Sequence, residues 1–228
     1  MNQYLTHYWP ITNGTILDEK GSSNMVQGAL TNFTSDRFGC PNAALAFNSC
    51  WTYVPSGIYF DSSEFTISVW IYPQKVDSES RVIDFGNGQS ANNIILSLSA
   101  GNSLEPSITI LSGSTVISNG ISSQTLTLNS WLFLVATFNG TNSRIYLNGI
   151  LTGQSNQIYS LPTLTRTNCF IGKSNWASNG YSSSYLDDLR FYNKSLTQDE
   201  IFKLMNQNGT CEFIFIYYTK RKNIPHQT

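Results

Sequence analysis

Charge is scarce in this chain. Asp, Glu, Lys and Arg make up 12% of its 228 residues, and 14 acids against 13 bases leave a formal net charge of −1. So weak a field draws neither a nucleic-acid backbone nor an anionic membrane, and neither is expected as a partner. The one basic cluster, Lys220, Arg221 and Lys222, sits near the end and reads as a solvated tail. Histidine is nearly missing: only His7 and His226 occur, and no Cys-x-x-Cys links Cys40, Cys50, Cys169 and Cys211. That inventory argues against a structural zinc site. An even cysteine count leaves open two disulfides in an oxidising compartment or four buried thiols. No stretch approaches the ~18 consecutive apolar residues of a spanning helix, so no membrane insertion is expected within the domain. The short apolar run 213–218 reads as an added strand, a disordered end or the start of an anchor. The first ten residues lack a basic start and an apolar stretch, so no secretory signal is expected there. The sequence is therefore read either as intracellular or as a piece of a longer exported chain.

Hydroxyls and amides take the place of charge: Ser, Asn and Thr number 30, 23 and 21. Five Asn-x-Ser/Thr sequons begin at Asn13, Asn32, Asn139, Asn193 and Asn208. Random placement of this much Asn, Ser and Thr gives about 5, so their number says nothing about glycosylation.

Period-2 alternation dominates between residues 5 and 192. In 65–72, Phe65, Ile67, Val69 and Ile71 fall on one face and Thr66, Ser68, Trp70 and Tyr72 on the other. Pro73 is expected to end that strand. Further strands are expected at 81–85, 93–99, 131–138, 144–147, 150–153 and 184–192, with 131–138 central because it is apolar on both faces. Asn139–Gly140 and Asn148–Gly149 are hairpin turns, since Asn and Gly adopt positive φ cheaply. The spacing predicts one helix over 198–206. Thr197 with Glu200 forms its capping box, and Ile201, Leu204 and Met205 form its apolar stripe. Short strands without intervening helices imply an antiparallel sandwich in a single domain, residues 1–208, with 209–228 a tail outside the core.

Several ordered segments carry a resemblance. They include Tyr8–Trp9–Pro10, Asp36–Arg37–Phe38–Gly39, the strand at 64–71, Trp131 through Asn139–Gly140 to Asn148–Gly149, Ile171–Gly172–Lys173–Ser174, and 186–193 with its helix. Together they resemble laminin-G-like members of the concanavalin A-like lectin/glucanase superfamily over roughly residues 5–206. The resemblance implies an all-β, two-sheet antiparallel jelly-roll sandwich with one short C-terminal helix. It leaves function open, because the fold hosts lectins, adhesion modules, enzymes and spacers.

Strict alternation along 184–193 puts Asp187 on the face of Leu189 and Phe191, where a carboxylate needs a partner. Asp188 then faces the other way and is expected exposed. The resemblance implies a structural calcium held by Asp187 together with Asp18 from the oxygen-rich loop 18–24. The alternative is that backbone amides, Arg190 or Lys20 neutralise Asp187 with no metal present. Glycosidases of this fold resemble one another in a Glu-x-Asp-x-x-Glu strand, and the pattern is missing here. Adjacent Asp187 and Asp188 on a regular strand cannot face each other, and a Ser/His/Asp triad would have to use His7. No enzymatic activity is expected.

Loop 173–181 is the candidate binding segment. Trp176 and Tyr181 offer aromatic faces to sugar C–H groups, and Asn175 and Asn179 offer amides to sugar hydroxyls. The alternative is that both rings pack over a sheet edge. Trp70 and Trp131, inside strands, are expected to be structural. The function expected is a non-enzymatic recognition or adhesion module for a glycan or an extracellular protein, extracellular or at the cell surface, within a longer chain. A structural spacer and a divergent glycosidase are the alternatives.

Overall fold

Phe65, Ile67, Val69 and Ile71 turn inward with at most 1% of their surface exposed, and their alternate neighbours face the other way. The same rule builds the rest of the molecule. The structure is a computed structural model that describes residues 1–207. After a short 3-10 turn come β1 (Leu5–Trp9), β2 (Val26–Gln27), β3 (Asn32–Thr34), β4 (Ala44–Asn48) and β5 (Thr52–Val54). Next follow β6 (Phe65–Lys75), β7 (Arg81–Gly86), β8 (Ile94–Ser97), β9 (Ser107–Ser112) and β10 (Thr115–Ile121). The last strands are β11 (Leu132–Phe138), β12 (Asn142–Leu147), β13 (Ile150–Asn156), β14 (Asn168–Ile171) and β15 (Ser183–Tyr192), before the helix α1 (Gln198–Met205).

The strands form two antiparallel sheets. One runs β13-β12-β11-β6-β15-β4-β3, with β1 also paired to β15, and the other runs β10-β9-β8-β7-β14-β5-β2. This is the expected jelly-roll sandwich. Its core is apolar, fed by Ile67, Leu134 and Leu189 from one sheet and Ile83, Leu96 and Ile108 from the other. At its centre Phe191 takes Trp9 and Phe85 edge-on at 5.3 and 5.4 Å, the arrangement that aromatic quadrupoles favour.

The helix packs outside the sandwich. Ile201 and Leu204 bury themselves against Phe133, Val135, Tyr146 and Tyr192 on the outer face of the eight-stranded sheet. That explains why β11 is buried on both faces. The capping box is present, with Thr197 accepting from the Glu200 amide and Glu200 accepting from the Thr197 amide. Both residues of the Asn148–Gly149 turn have positive φ. Gly149 also lies against Phe202, where a Cβ would come within 2.7 Å of the ring.

One strand end departs from expectation. β6 continues through Pro73 to Lys75. Its register with β15 shifts between Ser183 and Ser184, opposite Lys75 and Pro73, and such irregularities are where a residue without an N–H is tolerated in a sheet. The expected tail, 209–228, lies outside the described residues, as do the run 213–218 and Cys211. Cys40 is disulfide-bonded, while Cys50 and Cys169 are free and buried.

Candidate functional site

A β-bulge decides where the acids of β15 point. Asp187 pairs with Trp70 and Arg190 with Ser68, so three steps of β15 oppose two of β6. Asp188 absorbs the extra residue with φ 54°. Leu189 and Phe191 therefore face the core, whereas Asp187 lies on the outer face with Trp70. Strict alternation fails here, and Asp187 does not share the face of Leu189 and Phe191. Asp188 is not exposed either: 7% of its surface is accessible, and 3% of that of Asp187.

Arg37, from the loop before β4, joins the two acids. Its Nη1 donates to Asp187 Oδ2 at 2.5 Å and its Nη2 to Asp188 Oδ2 at 2.7 Å. Asp188 Oδ1 accepts from Arg190 Nη2 at 2.9 Å and from the Tyr8 hydroxyl at 2.6 Å. Two carboxylates thus meet two guanidinium groups. Burial, reinforced by the Asp188 charge and opposed by Arg37, pushes the Asp187 carboxyl up to about 8. The Arg37 guanidinium lies 4.4 Å from the Phe38 ring centre and 4.6 Å from that of Trp70. Together with Met205, Asn206 and Gln207 these residues line an open cleft of about 380 Å³.

Asp18 is held quite differently. Its Oδ1 accepts from the amides of Tyr8, Lys20 and Gly21, and its Oδ2 from the Ser23 amide and His7 Nδ1. Burial alone would raise its pKa, but the His7 contact and these amides outweigh it and hold the carboxyl well below the usual range. The His7 ring stacks with Trp9 at 5.4 Å, on the core side of β1, while Tyr8 reaches across the outer face to Asp188. Asp18 and Asp187 therefore share no partner. Their oxygens face N–H donors and a guanidinium, a poor fit to calcium, which needs several inward-facing oxygens. Among the described residues no group of three or more His, Cys, Asp and Glu is placed to hold a metal ion.

Loop 173–181 turns its amides inward. Asn175 donates from its backbone to Asp84 Oδ2 at 2.8 Å and from its side chain to Asp84 Oδ1 at 2.9 Å. Asn93 donates to the same Oδ1 at 2.7 Å, so a fully buried Asp84 anchors the loop. Asn179 donates to Ser174 Oγ. The side-chain N–H groups of Asn175 and Asn179, expected to face a sugar, are thus bonded to Asp84 and Ser174 instead. Trp176 is half-buried, 6.0 Å from the Arg81 guanidinium, and Tyr181 is 40% exposed.

Other aromatic residues stand on the sheets. Tyr72 and Tyr185 stack at 5.2 Å on the outer face of the eight-stranded sheet, and Trp131 meets Tyr72 at 5.7 Å. On the seven-stranded sheet Trp51 touches Tyr53 and Phe170, with Lys173 Nζ 4.1 Å from the centre of the Trp51 ring.

A family model described as the concanavalin A-like lectin/glucanases superfamily matches residues 48–202. The chain belongs to this superfamily. Comparison with curated protein sequences gave no match. Among solved structures, this superfamily member is similar to domain 4 of the extracellular GH43 arabinanase AbnA from Geobacillus stearothermophilus, in complex with arabinotriose. The TM-score is 0.72 at 18% identity, over 89% of this chain and 98% of that one. It is also similar to the binding domain of Paraclostridial Mosquitocidal Protein 1, with a TM-score of 0.69 at 18% identity over 90% of this chain. The receptor-binding domain of botulinum neurotoxin mosaic serotype C/D gives 0.66 at 16% identity, again over 90% of this chain. The chain spans about half the length of these two toxin domains, covering 52% and 51% of them. At such identities the likeness shows the fold.

Sequence reasoning missed two residues that organise this superfamily member's polar interior. Asp84 left a trace, a lone acid between Ile83 and Phe85 on a strand. Arg37 left only its place in the segment Asp36–Arg37–Phe38–Gly39, with no sign of its partners.

Proposed function

We propose that the chain is a non-catalytic recognition module for carbohydrate. The observation that carries the proposal is the chemistry of its open faces. Half-exposed rings stand there, as with Tyr72, Trp131 and Tyr185 around the Gln74 amide on one sheet and Trp51 and Tyr53 on the other. Aromatic faces suit sugar C–H groups, and neutral polar groups suit sugar hydroxyls. The arabinanase domain solved with arabinotriose supports the same reading.

Asp187 and Asp188 adjoin on one strand and are locked to Arg37. They do not offer the two carboxyl groups flanking an open space that glycoside hydrolysis uses. A disulfide at Cys40 and the description of the arabinanase as extracellular support an oxidising, extracellular setting. The test is a glycan array probed with the full 228-residue chain, followed by incubation with β-glucan and arabinan. Binding to at least one glycan without release of reducing sugar is expected. Failure to bind any glycan removes the carbohydrate reading, and hydrolysis removes the word non-catalytic.

A further inference from the structure

Among the described residues, the outer face of the eight-stranded sheet is covered only in part. The helix lies over Phe133, Val135, Tyr146 and Tyr192. One row further along, Tyr72 on β6 and Tyr185 on β15 stand half-exposed, with Trp131, just ahead of β11, beside them. Tyr72 and Tyr185 are paired in register, with ring planes 15° apart. Gln74 Nε2 donates to the Tyr185 hydroxyl at 3.0 Å, so an amide and a phenol are fixed side by side at the edge of the stack. The row continues through Ala46 on β4 to Asn32 on β3. Ala46 has no bulk to interrupt it, and Asn32 is exposed. At ~4.8 Å per strand step the row is about 19 Å long, the scale of an oligosaccharide rather than of one ring.

The charged groups in its neighbourhood are spoken for. Arg37 and Arg190 face Asp187 and Asp188. Lys75, next to Gln74, pairs with Asp77 at 2.7 Å. Among the described residues the strip therefore offers rings, a phenol and amides, and no unpaired cation for the carboxylate of an acidic sugar. Its charge matches a neutral polyol.

We infer that a neutral oligosaccharide lies across these strands, stacked along Trp131, Tyr72 and Tyr185 and hydrogen-bonded by Gln74 and Asn32. This rests on the carbohydrate reading above and adds the place and the ligand class. Binding of arabinotriose, cellotriose and 3′-sialyllactose to the full chain, followed by calorimetry and Trp fluorescence, tests it. At least one neutral trisaccharide is expected to bind, and no less tightly than the sialylated one. Tyr185→Ala is expected to weaken binding at least tenfold. Gln74→Ala and Tyr185→Phe, which leave the ring stack in place and guard against a folding artefact, are expected to weaken it several-fold. The double variant Trp176→Ala/Tyr181→Ala is expected to stay within twofold of wild type.

Loss confined to that double variant leaves the carbohydrate reading standing and removes this site. A tenfold preference for the sialylated sugar overturns the neutral ligand class. Dimerisation that Tyr185→Ala abolishes, or capture of a protein ligand through the same residues, with no sugar bound, makes the strip a protein interface and overturns the inference. No binding to any glycan on an array sinks both this site and the reading beneath it.

Discussion

Arg37 is the counter-charge on which the outer face of β15 depends. It balances two acids that would otherwise lie buried beside each other. Removing Arg37 leaves Asp187 Oδ2 and Asp188 Oδ2 without a donor, at a cost of about 1–3 kcal/mol each, even though Asp187 can hold a proton and Asp188 keeps Arg190. Arg37→Leu is therefore expected to lower the denaturant midpoint sharply. Adding Asp187→Asn and Asp188→Asn to it should recover most of the loss, and a single variant as stable as wild type would contradict the account. Titration follows from the same burial. Asp187 carries a folded-state pKa of about 8, above the ordinary ~3.9 of an unfolded aspartate. A raised pKa means the folded state holds the proton more tightly. The contribution is complete below about pH 4 and is lost as pH rises through about 8. Asp18 has the opposite sign: its depressed pKa contributes above about pH 4 and fades in acid. Asp187→Asn is thus expected to flatten the fall in stability between pH 4 and 8, measured by urea unfolding at several pH values. The bulge behind this geometry was legible in principle. Leu186, Leu189 and Phe191 all face the core, and the three-residue step before the two-residue one marks an inserted residue. The partner Arg37 was not legible, because a contact 150 residues apart leaves no local pattern.

The elements were more readable than the contacts between them. β6 follows from alternation alone, and α1 from its cap and apolar stripe. Residues that pack on a face declare it through hydrophobicity, and turns declare it through φ. The hairpin of β9 and β10 shows the limit. β9 carries Ser and Thr on half its positions, β10 mixes them with Asn and Gly, and only the Gly113–Ser114 dipeptide signals the turn. Pro73 misled because its penalty depends on the ladder beside it, and that ladder is irregular there. For α1 the capping box is measurable. Thr197→Ala is expected to cost about 1 kcal/mol, read as a lower unfolding midpoint with unchanged sugar binding. Leu204→Ala, which hollows the contact with the sheet, is expected to cost about 2–5 kcal/mol.

At the scale of the molecule, stability comes from the two-layer core, with an acid-rich stretch that is neutralised from within. Added calcium at millimolar concentration is expected to leave the melting temperature unchanged, since a ligand raises it only by binding the folded state selectively. A rise of several degrees that Asp187→Asn removes would restore a metal to this region. The sandwich was visible in the sequence because two-faced strands must pair their apolar sides. The proposed sugar strip is only half visible in the sequence: a loop position singles out Trp176 and Tyr181, whereas the strand pattern makes Trp131 look structural. A ring on a strand is structural on the inner face and available on the outer one, and period-2 patterning does not say which layer will be left bare.

β1 and β15 run side by side in opposite directions, with Leu5 opposite Tyr192. Tension applied through the segments that flank this pair therefore enters at a single end of it. Its rungs would open one after another, as a zipper does, instead of sharing the load.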